Sequence, residues 1–522
     1  MTDGFDAPAP GDAPDETTHV AGDPAGSPAV SAGDAGSRRW RSMWRLHFYA
    51  GMFAMPFILL MAVTGLVILY TDPIDHVVHG DLRSVDHVEG QRLSYDAQEQ
   101  AVESAYPDGA VLDMTPPSGE DDSTRFFVDD GSGSGLHVYV DPYTAEVLGH
   151  VKPGNGIIGI SNRLHGYLNN DSITIELPAV SALWDDGAVM RDYVVGDLLI
   201  EIFGVWTLVL VATGLYLWWP RRSRQSQGSH GARRLLLVRR GVTGRARWRD
   251  LHGLGGATLL VFMLITIVSG LGWSTYWADQ FGSLANTLTP NSSIDPPASS
   301  LGVRGDLDRF GNQIPWASGD FPIPASYAPP VGASSPAPLS LDEVVRIAQD
   351  EGMKPGYTIA FPGNTTDEAG NTVYGAFTLS NSWPRATGEA RDLFIDQFSG
   401  AALAEQTGWG FGTVQYSMDV LVSTHMGTQL GIMSRLFMTA LCVLSIWSVI
   451  SGFVMFWKRR RPGTLGLPRR PVDVRLTRRI GVIAVVTGIV FPQWGVTALL
   501  ILGLDRFVIR RVRPLRRAFG QA

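Results

Sequence analysis

Apolar residues along this chain are gathered into runs instead of being spread as in a soluble core. Four runs are clear: Phe48 to Tyr70, Val194 to Trp219, Leu254 to Trp273 and Leu436 to Trp457. Each is close to the roughly 20 residues that cross a hydrocarbon layer of about 30 Å, so each predicts a spanning helix. A fifth apolar stretch, residues 479–505, is broken at Phe491-Pro492 and has arginines on both sides. One crossing would put its basic flanks on opposite faces of the membrane. A re-entrant hairpin turning there keeps both on one face, although arms of about 12 residues reach only about 18 Å. The hairpin is the favoured reading.

Between the runs the period changes. Residues 90–152, and residues 290–405 once a Pro/Ser-rich linker is passed, each begin with a short amphipathic helix. Strands of alternating character follow and close on an Asp-led turn. The expected organisation is therefore a disordered tail over 1–37, helices over 38–71, 193–220, 251–275 and 432–458, a basic loop over 221–250, and two small α+β outer domains. In fold class this is an all-α polytopic membrane protein of two repeated helix-pair units, each bearing one outer domain, with a broken apolar segment at the C-terminal end.

Charge gives that plan an orientation. The net charge is −8, but Arg221 to Arg249 holds ten arginines and no acid, while Thr71 to Met190 is dominated by Asp and Glu. By the positive-inside rule the N-terminus and the 221–250 loop are expected in the cytoplasm of a cell (inner) membrane, with the acidic segments outside. Cys442 is the single cysteine and falls inside a run, which excludes disulfides and thiolate clusters and leaves histidine as the expected soft-nitrogen ligand for any metal. There is no G-x-G-x-x-G fingerprint, P-loop or H-E-x-x-H, and Gly131 to Gly135 reads as a turn. The expected surroundings are a lipid bilayer, with no nucleic acid as partner.

The two halves repeat. With His47 laid on His252, Thr64-Gly65 falls on Ser269-Gly270 without a gap, and the exits at Thr213-Gly214 and Ser451-Gly452 also match. Small residues at these four places suit close helix packing and leave room for a flat cofactor. His47 and His252 are each preceded by Trp and Arg at the cytoplasmic end of their helices. Two units packed about a pseudo-two-fold axis would bring such histidines to one point, the arrangement of two axial imidazoles on a haem. Gly51, Gly253, Gly255 and Gly256 would clear space for a porphyrin face. On the outer side His165 and His425, each followed within two residues by Gly, form a second symmetric pair and a second haem site. His76 and His79, one turn apart, compete for that role or form a surface metal pair. Arg45 and Arg249 are either propionate partners or topology signals. Glu201 is the one carboxylate noted inside a span, a bond to a neighbouring helix being one reading of it.

The stretches around His47, His165, His252 and His425, with the two outer inserts and the broken C-terminal segment, resemble the PepSY-associated transmembrane family, which includes iron-regulated membrane proteins and inner-membrane ferric-siderophore reductases. The resemblance runs from about Arg38 onward. It implies a membrane oxidoreductase with two haem b, held by His47/His252 and His165/His425, passing electrons from a quinol or a cytoplasmic reductase to a ferric chelate or siderophore outside. Two departures are visible: Asn169 to Asp192 lengthens the path from His165 to its helix, and Met426 adjoins His425. The alternative is a non-redox, membrane-anchored protein whose outer domains bind peptides or modulate a peptidase; it predicts a colourless protein. A transporter has little support in spans with so few buried carboxylates.

Overall fold

A computed structural model of the chain describes residues 32–520 apart from 87–89, 132–134, 186, 220–237, 240, 291–300, 302–318, 320, 329–336, 382–384, 461 and 468–473. In chain order come α1 (Ala32–Leu69), the short α2 (Thr71–Val78) and α3 (Gly80–Arg83), then α4 (Tyr95–Ala105). Strands β1 (Ala110–Thr115), β2 (Thr124–Asp129), β3 (Leu136–Val140) and β4 (Val147–Val151) lead to α5 (Gly156–Tyr167). A hairpin of β5 (Thr174–Pro178) and β6 (Met190–Val194) runs into α6 (Val195–Trp218), followed by α7 (Gly244–Leu271), α8 (Thr275–Leu288) and α9 (Leu341–Asp350). Strands β7 (Thr358–Ala360), β8 (Thr365–Thr366), β9 (Thr372–Val373), β10 (Ala376–Ser380), β11 (Arg391–Asp396) and β12 (Ala402–Thr407) precede α10 (Thr413–His425) and α11 (Ile432–Arg459). The chain closes with α12 (Val474–Val490), α13 (Pro492–Leu504) and α14 (Arg513–Ala518). The expected tail lies outside the described residues except for 32–37, which are helical; most of the basic loop and of the Pro/Ser-rich linker also lie outside them.

Helices α1, α6, α7 and α11 are long and apolar enough to cross a membrane, and a fifth such stretch is Pro492–Ile509. The protein is a multi-pass membrane protein, but it is not all-α. The four long helices form a ring in which α1 packs on α6 and α11, and α7 packs on α11 and α6; α5 lies against α1 and α10 against α7.

The two inserts, expected as separate domains, share one eight-stranded sheet of order β12-β11-β10-β7-β1-β2-β3-β4. The join is the antiparallel β1–β7 pair, with Asp113 opposite Ala360 and Met114 opposite Ile359. What fuses them is a common core. Val102 of α4, Val344 and Ala348 of α9, and the inward residues Met114, Phe126, Val138, Ile359, Leu379 and Ile395 are buried in one cluster. At about 1.5–3 kcal/mol for each large apolar side chain, a half-sheet alone would forfeit the contacts its partner supplies. The helices α4 and α9 meet at their N-termini and cap one another. The Tyr95 amide donates to Asp342 Oδ2 at 3.0 Å and the Leu341 amide donates to Asp96 Oδ1 at 2.9 Å. Each carboxylate thus satisfies an amide that its neighbour's own helix leaves without a partner.

The C-terminal segment reverses on itself. A Cβ on Gly495 would lie 3.0 Å from Gly488 Cα, an approach that seven residues of straight helix would forbid. The tip packs on α6, with Trp494 5.4 Å from Trp206 and the Trp206 indole donating to Thr497. The far end returns to the His47 end of the bundle, where Phe519 stacks on Tyr49 and its carbonyl accepts from Arg45. The arms are longer than expected: α12 has 17 residues, or about 25 Å. The apolar stretch alone understated them, because α12 begins in the basic segment before it.

Candidate functional site: two pairs of facing histidines

Two imidazole pairs face each other between the helices. His47 on α1 and His252 on α7 have ring centroids 6.5 Å apart with planes at 73°. His165 on α5 and His425 on α10 have centroids 6.3 Å apart at 83°. His47 and Thr64 lie 17 residues apart on α1, and Thr64 touches His165, so the two pairs stand about 25 Å apart along the helix.

All four rings are held the same way, by a hydroxyl-glycine pair on the adjacent helix. Nδ1 of His47 is 3.1 Å from Thr213 Oγ1, Nδ1 of His252 is 3.0 Å from Ser451 Oγ, and Nδ1 of His165 and of His425 are each 2.9 Å from Thr64 Oγ1 and Ser269 Oγ respectively. The glycine after each hydroxyl receives the ring edge. A Cβ on Gly214, Gly65, Gly452 or Gly270 would lie 3.1, 3.2, 3.5 or 3.6 Å from the Cε1 of the histidine it faces.

Proton bookkeeping then fixes the tautomer. Thr64, Thr213, Ser269 and Ser451 each donate their hydroxyl hydrogen to a carbonyl one turn back, those of Leu60, Val209, Thr266 and Ser448. A hydroxyl has one hydrogen, so its oxygen accepts from the imidazole. A backbone carbonyl, which can only accept, also faces Nδ1 of His47, that of Leu210 at 3.1 Å. The proton sits on Nδ1 and the Nε2 lone pair is left for a ligand, the arrangement by which an outer partner orients a metal-binding histidine.

The arrangement fits an iron porphyrin. A ligating imidazole nitrogen lies about 2 Å from its metal and the ring centroid about 1.2 Å behind it, so two imidazoles sharing one iron would have centroids about 6.4 Å apart. Both observed separations match. Each of the four side chains also keeps accessible surface although it stands between helices.

The other sequence candidates fall elsewhere. The glycines beside the inner histidines serve helix packing: Gly51 meets Leu210, Gly253 meets Trp218 and Gly255 meets Trp447, while Gly256 faces open space. Arg45 is buried and held by the Tyr49 hydroxyl at 2.6 Å and by the Phe519 carbonyl; Arg249 is paired with Asp250 at 3.2 Å. His79 bonds Asp75 at 2.8 Å and His76 is exposed on α2; among the described residues no group of three His, Cys, Asp or Glu side chains forms a metal site. Glu201 caps the start of α8, accepting from the Tyr276 and Trp277 amides at 3.0 and 2.8 Å, and also accepts from Gln493 at the hairpin tip.

The lengthened stretch after His165 is the β5–β6 hairpin. It is fastened to α8 by Arg191 and Tyr193 on Asp279, at 2.6 and 2.7 Å. Asp185, which accepts from Ser283 and pairs with Arg191, is held below the usual carboxylate range by those bonds. His165 itself rests on Thr64 of α1. Where α5 ends, Gly196 at the start of α6 lets the chain pass so close that a Cβ would collide with the Tyr167 carbonyl.

What sequence reasoning missed is the role of the hydroxyls. The signal was present, a Thr or Ser before Gly in all four spans, but its partner could not be read, because Thr64 serves His165 and not the histidine on its own helix.

No curated protein matches the chain. Residues 44–459, which include all four histidines and all four hydroxyl-glycine pairs, match the family described as the PepSY-associated TM region. The match takes in most of the chain and both halves of the histidine arrangement, and the protein belongs to that family.

Proposed function

We propose that this protein is a duplicated membrane cytochrome that carries electrons through two haem b to a ferric chelate outside the cell membrane. The observation that carries this reading is the convergence of two imidazole pairs, each ring with its Nδ1 against a hydroxyl whose own hydrogen is donated elsewhere, an arrangement that leaves Nε2 for iron. His47 and His252 would hold the inner haem, His165 and His425 the outer. Such iron changes valence without moving an ion through lipid, where a lone charge is costly. The chain's own part is to fix four rings on rigid helices, to exclude water with packed aromatics such as Phe48 and Phe456, and to keep each Nδ1 proton bound. With the arginine-rich segments facing the cytoplasm, His47 lies at the inner end and the sheet stands outside. Electrons enter from a membrane quinol or a cytoplasmic reductase. Delivered to a ferric chelate, they convert iron to the softer ferrous form, which hard-oxygen ligands hold poorly.

Proteoliposomes with reductant enclosed on the cytoplasmic side and ferric citrate with a ferrous trap outside test this directly. Ferrous iron is expected outside with the wild type and not with empty vesicles. Equal rates in the two would sink the reading. A finer expectation concerns Thr64→Val, which keeps the shape but removes an acceptor from His165. The imidazole becomes a weaker donor and ferric iron loses stabilisation, so the outer potential rises. A net bond worth about 0.5–1.5 kcal/mol corresponds, at about 59 mV per tenfold, to roughly 20–60 mV. A redox titration in which only the outer component moves is the expected outcome.

A further inference from the structure

A cleft opens where the sheet meets the turn after His425. It encloses about 370 Å3, and Lys354, Asn381, Arg385, Glu389, Thr428 and Arg435 line it. That volume lies within the range of small-ligand sites. Its floor is the turn that ends α10, where the Thr428 and Gln429 amides close the helix on the Ser423 carbonyl. Its wall is the segment before β11, joined to the floor by Thr428 donating to the Arg385 carbonyl at 3.0 Å and by the Thr387 amide donating to Gln429 at 3.0 Å. Thr428 is three residues from His425, so their Cα atoms are at most about 11 Å apart. An occupant of the cleft would rest on the same turn that positions the outer imidazole.

The lining carries three cations against one acid. Lys354 is paired with Glu389 at 2.7 Å, and Arg385 lies within electrostatic reach of Asp419 and Glu389. Arg435, in the first turn of α11, makes no ion pair among the described residues. It is held at the cleft by its backbone, since a Cβ on Gly427 would lie 3.2 Å from Arg435 Cα. A guanidinium fork so placed suits a planar oxyanion, above all a carboxylate.

We propose that this cleft is the docking site for the electron acceptor, and that it selects ferric chelates bearing free carboxylates, with Arg435 as the principal contact. The proposal rests on the electron-transfer reading above and names the substrate class of its outer site. The step moves one electron from the protein to the chelated iron, Fe(III) becoming Fe(II). No bond to the protein forms or breaks, and a quinol or cytoplasmic reductase on the donor side replaces the electron.

Gallium(III) citrate is redox-inert and carries the same anionic face, so its binding reads the cleft without using the haem. Titration calorimetry of the full-length protein in nanodiscs is expected to give saturable binding that weakens with added salt. Arg435→Gln should lower affinity about tenfold and Arg435→Glu further, with haem spectra unchanged. In the ferric-chelate assay the same variants should slow oxidation by ferric citrate and leave a cationic ferric trihydroxamate unaffected. Absent binding by the wild type, or equal affinity in Arg435→Glu, overturns the cleft even if the protein is fully haem-loaded. So does a result in which Arg435→Glu changes only retention of anionic lipid, which would assign the guanidinium to a headgroup. A protein that binds gallium citrate through Arg435 but carries no haem would instead defeat the electron-transfer reading, and with it the acceptor role of the cleft.

Discussion

His47→Ala is expected to leave the protein folded, with about one haem per chain in place of about two, and to stop electron passage across the bilayer. The ring removed lies between α1, α6 and α7, and the histidine 6.5 Å away cannot hold a low-spin iron alone. The other pair stands about 25 Å along the helix on separate supports, Thr64 and Ser269, and should be retained. Pyridine haemochrome analysis of purified variant and wild type measures the loss, and proteoliposome reduction measures its consequence. Equal haem content in the two would remove His47 from the set of ligands. His425→Ala is the mirror experiment, losing the outer component and keeping the inner.

The second large effect belongs to a residue with no chemistry of its own. A Cβ on Gly214 would sit 3.1 Å from Cε1 of His47, closer than side chains ordinarily approach, and valine adds two methyl groups to it. The ring cannot stay both on Thr213 and opposite His252. Gly214→Val should therefore lose the inner haem, with a haem count and an oxidised spectrum near those of His47→Ala. Gly256→Ala is the control, because nothing lies within 4 Å of its added carbon; its haem content should equal that of the wild type. If Gly214→Val also matched the wild type, the hydroxyl-glycine pairs would be packing features only.

These expectations separate what the sequence discloses from what it conceals. The spans, the repeat and the placing of His47 opposite His252 were legible because a spacing of 17 residues recurs with the same residue types at both ends. The nearest glycines in sequence were the wrong ones. Gly51, Gly253 and Gly255 are neighbours of histidines along the chain, but a helix turns about 100° per residue, and these point at Leu210, Trp218 and Trp447. The glycines that matter are on other helices. The shared sheet was concealed for a related reason: β1 and β7 are joined through only two residue pairs, and they lie almost 250 residues apart in the chain. Alternation predicts strands and is silent about which strand pairs with which. Asp96 and Asp342 could be read as ordinary first-turn acids; that each caps the other's helix needed the fold.

Whether the paired imidazoles hold iron porphyrin is read from a dithionite-reduced minus air-oxidised absorption spectrum of the protein from haem-replete cells, with haem counted per chain. Low-spin b-type bands from about two haems per chain are expected. A colourless protein would contradict that expectation and return attention to the outer sheet as a membrane-anchored peptide-binding module.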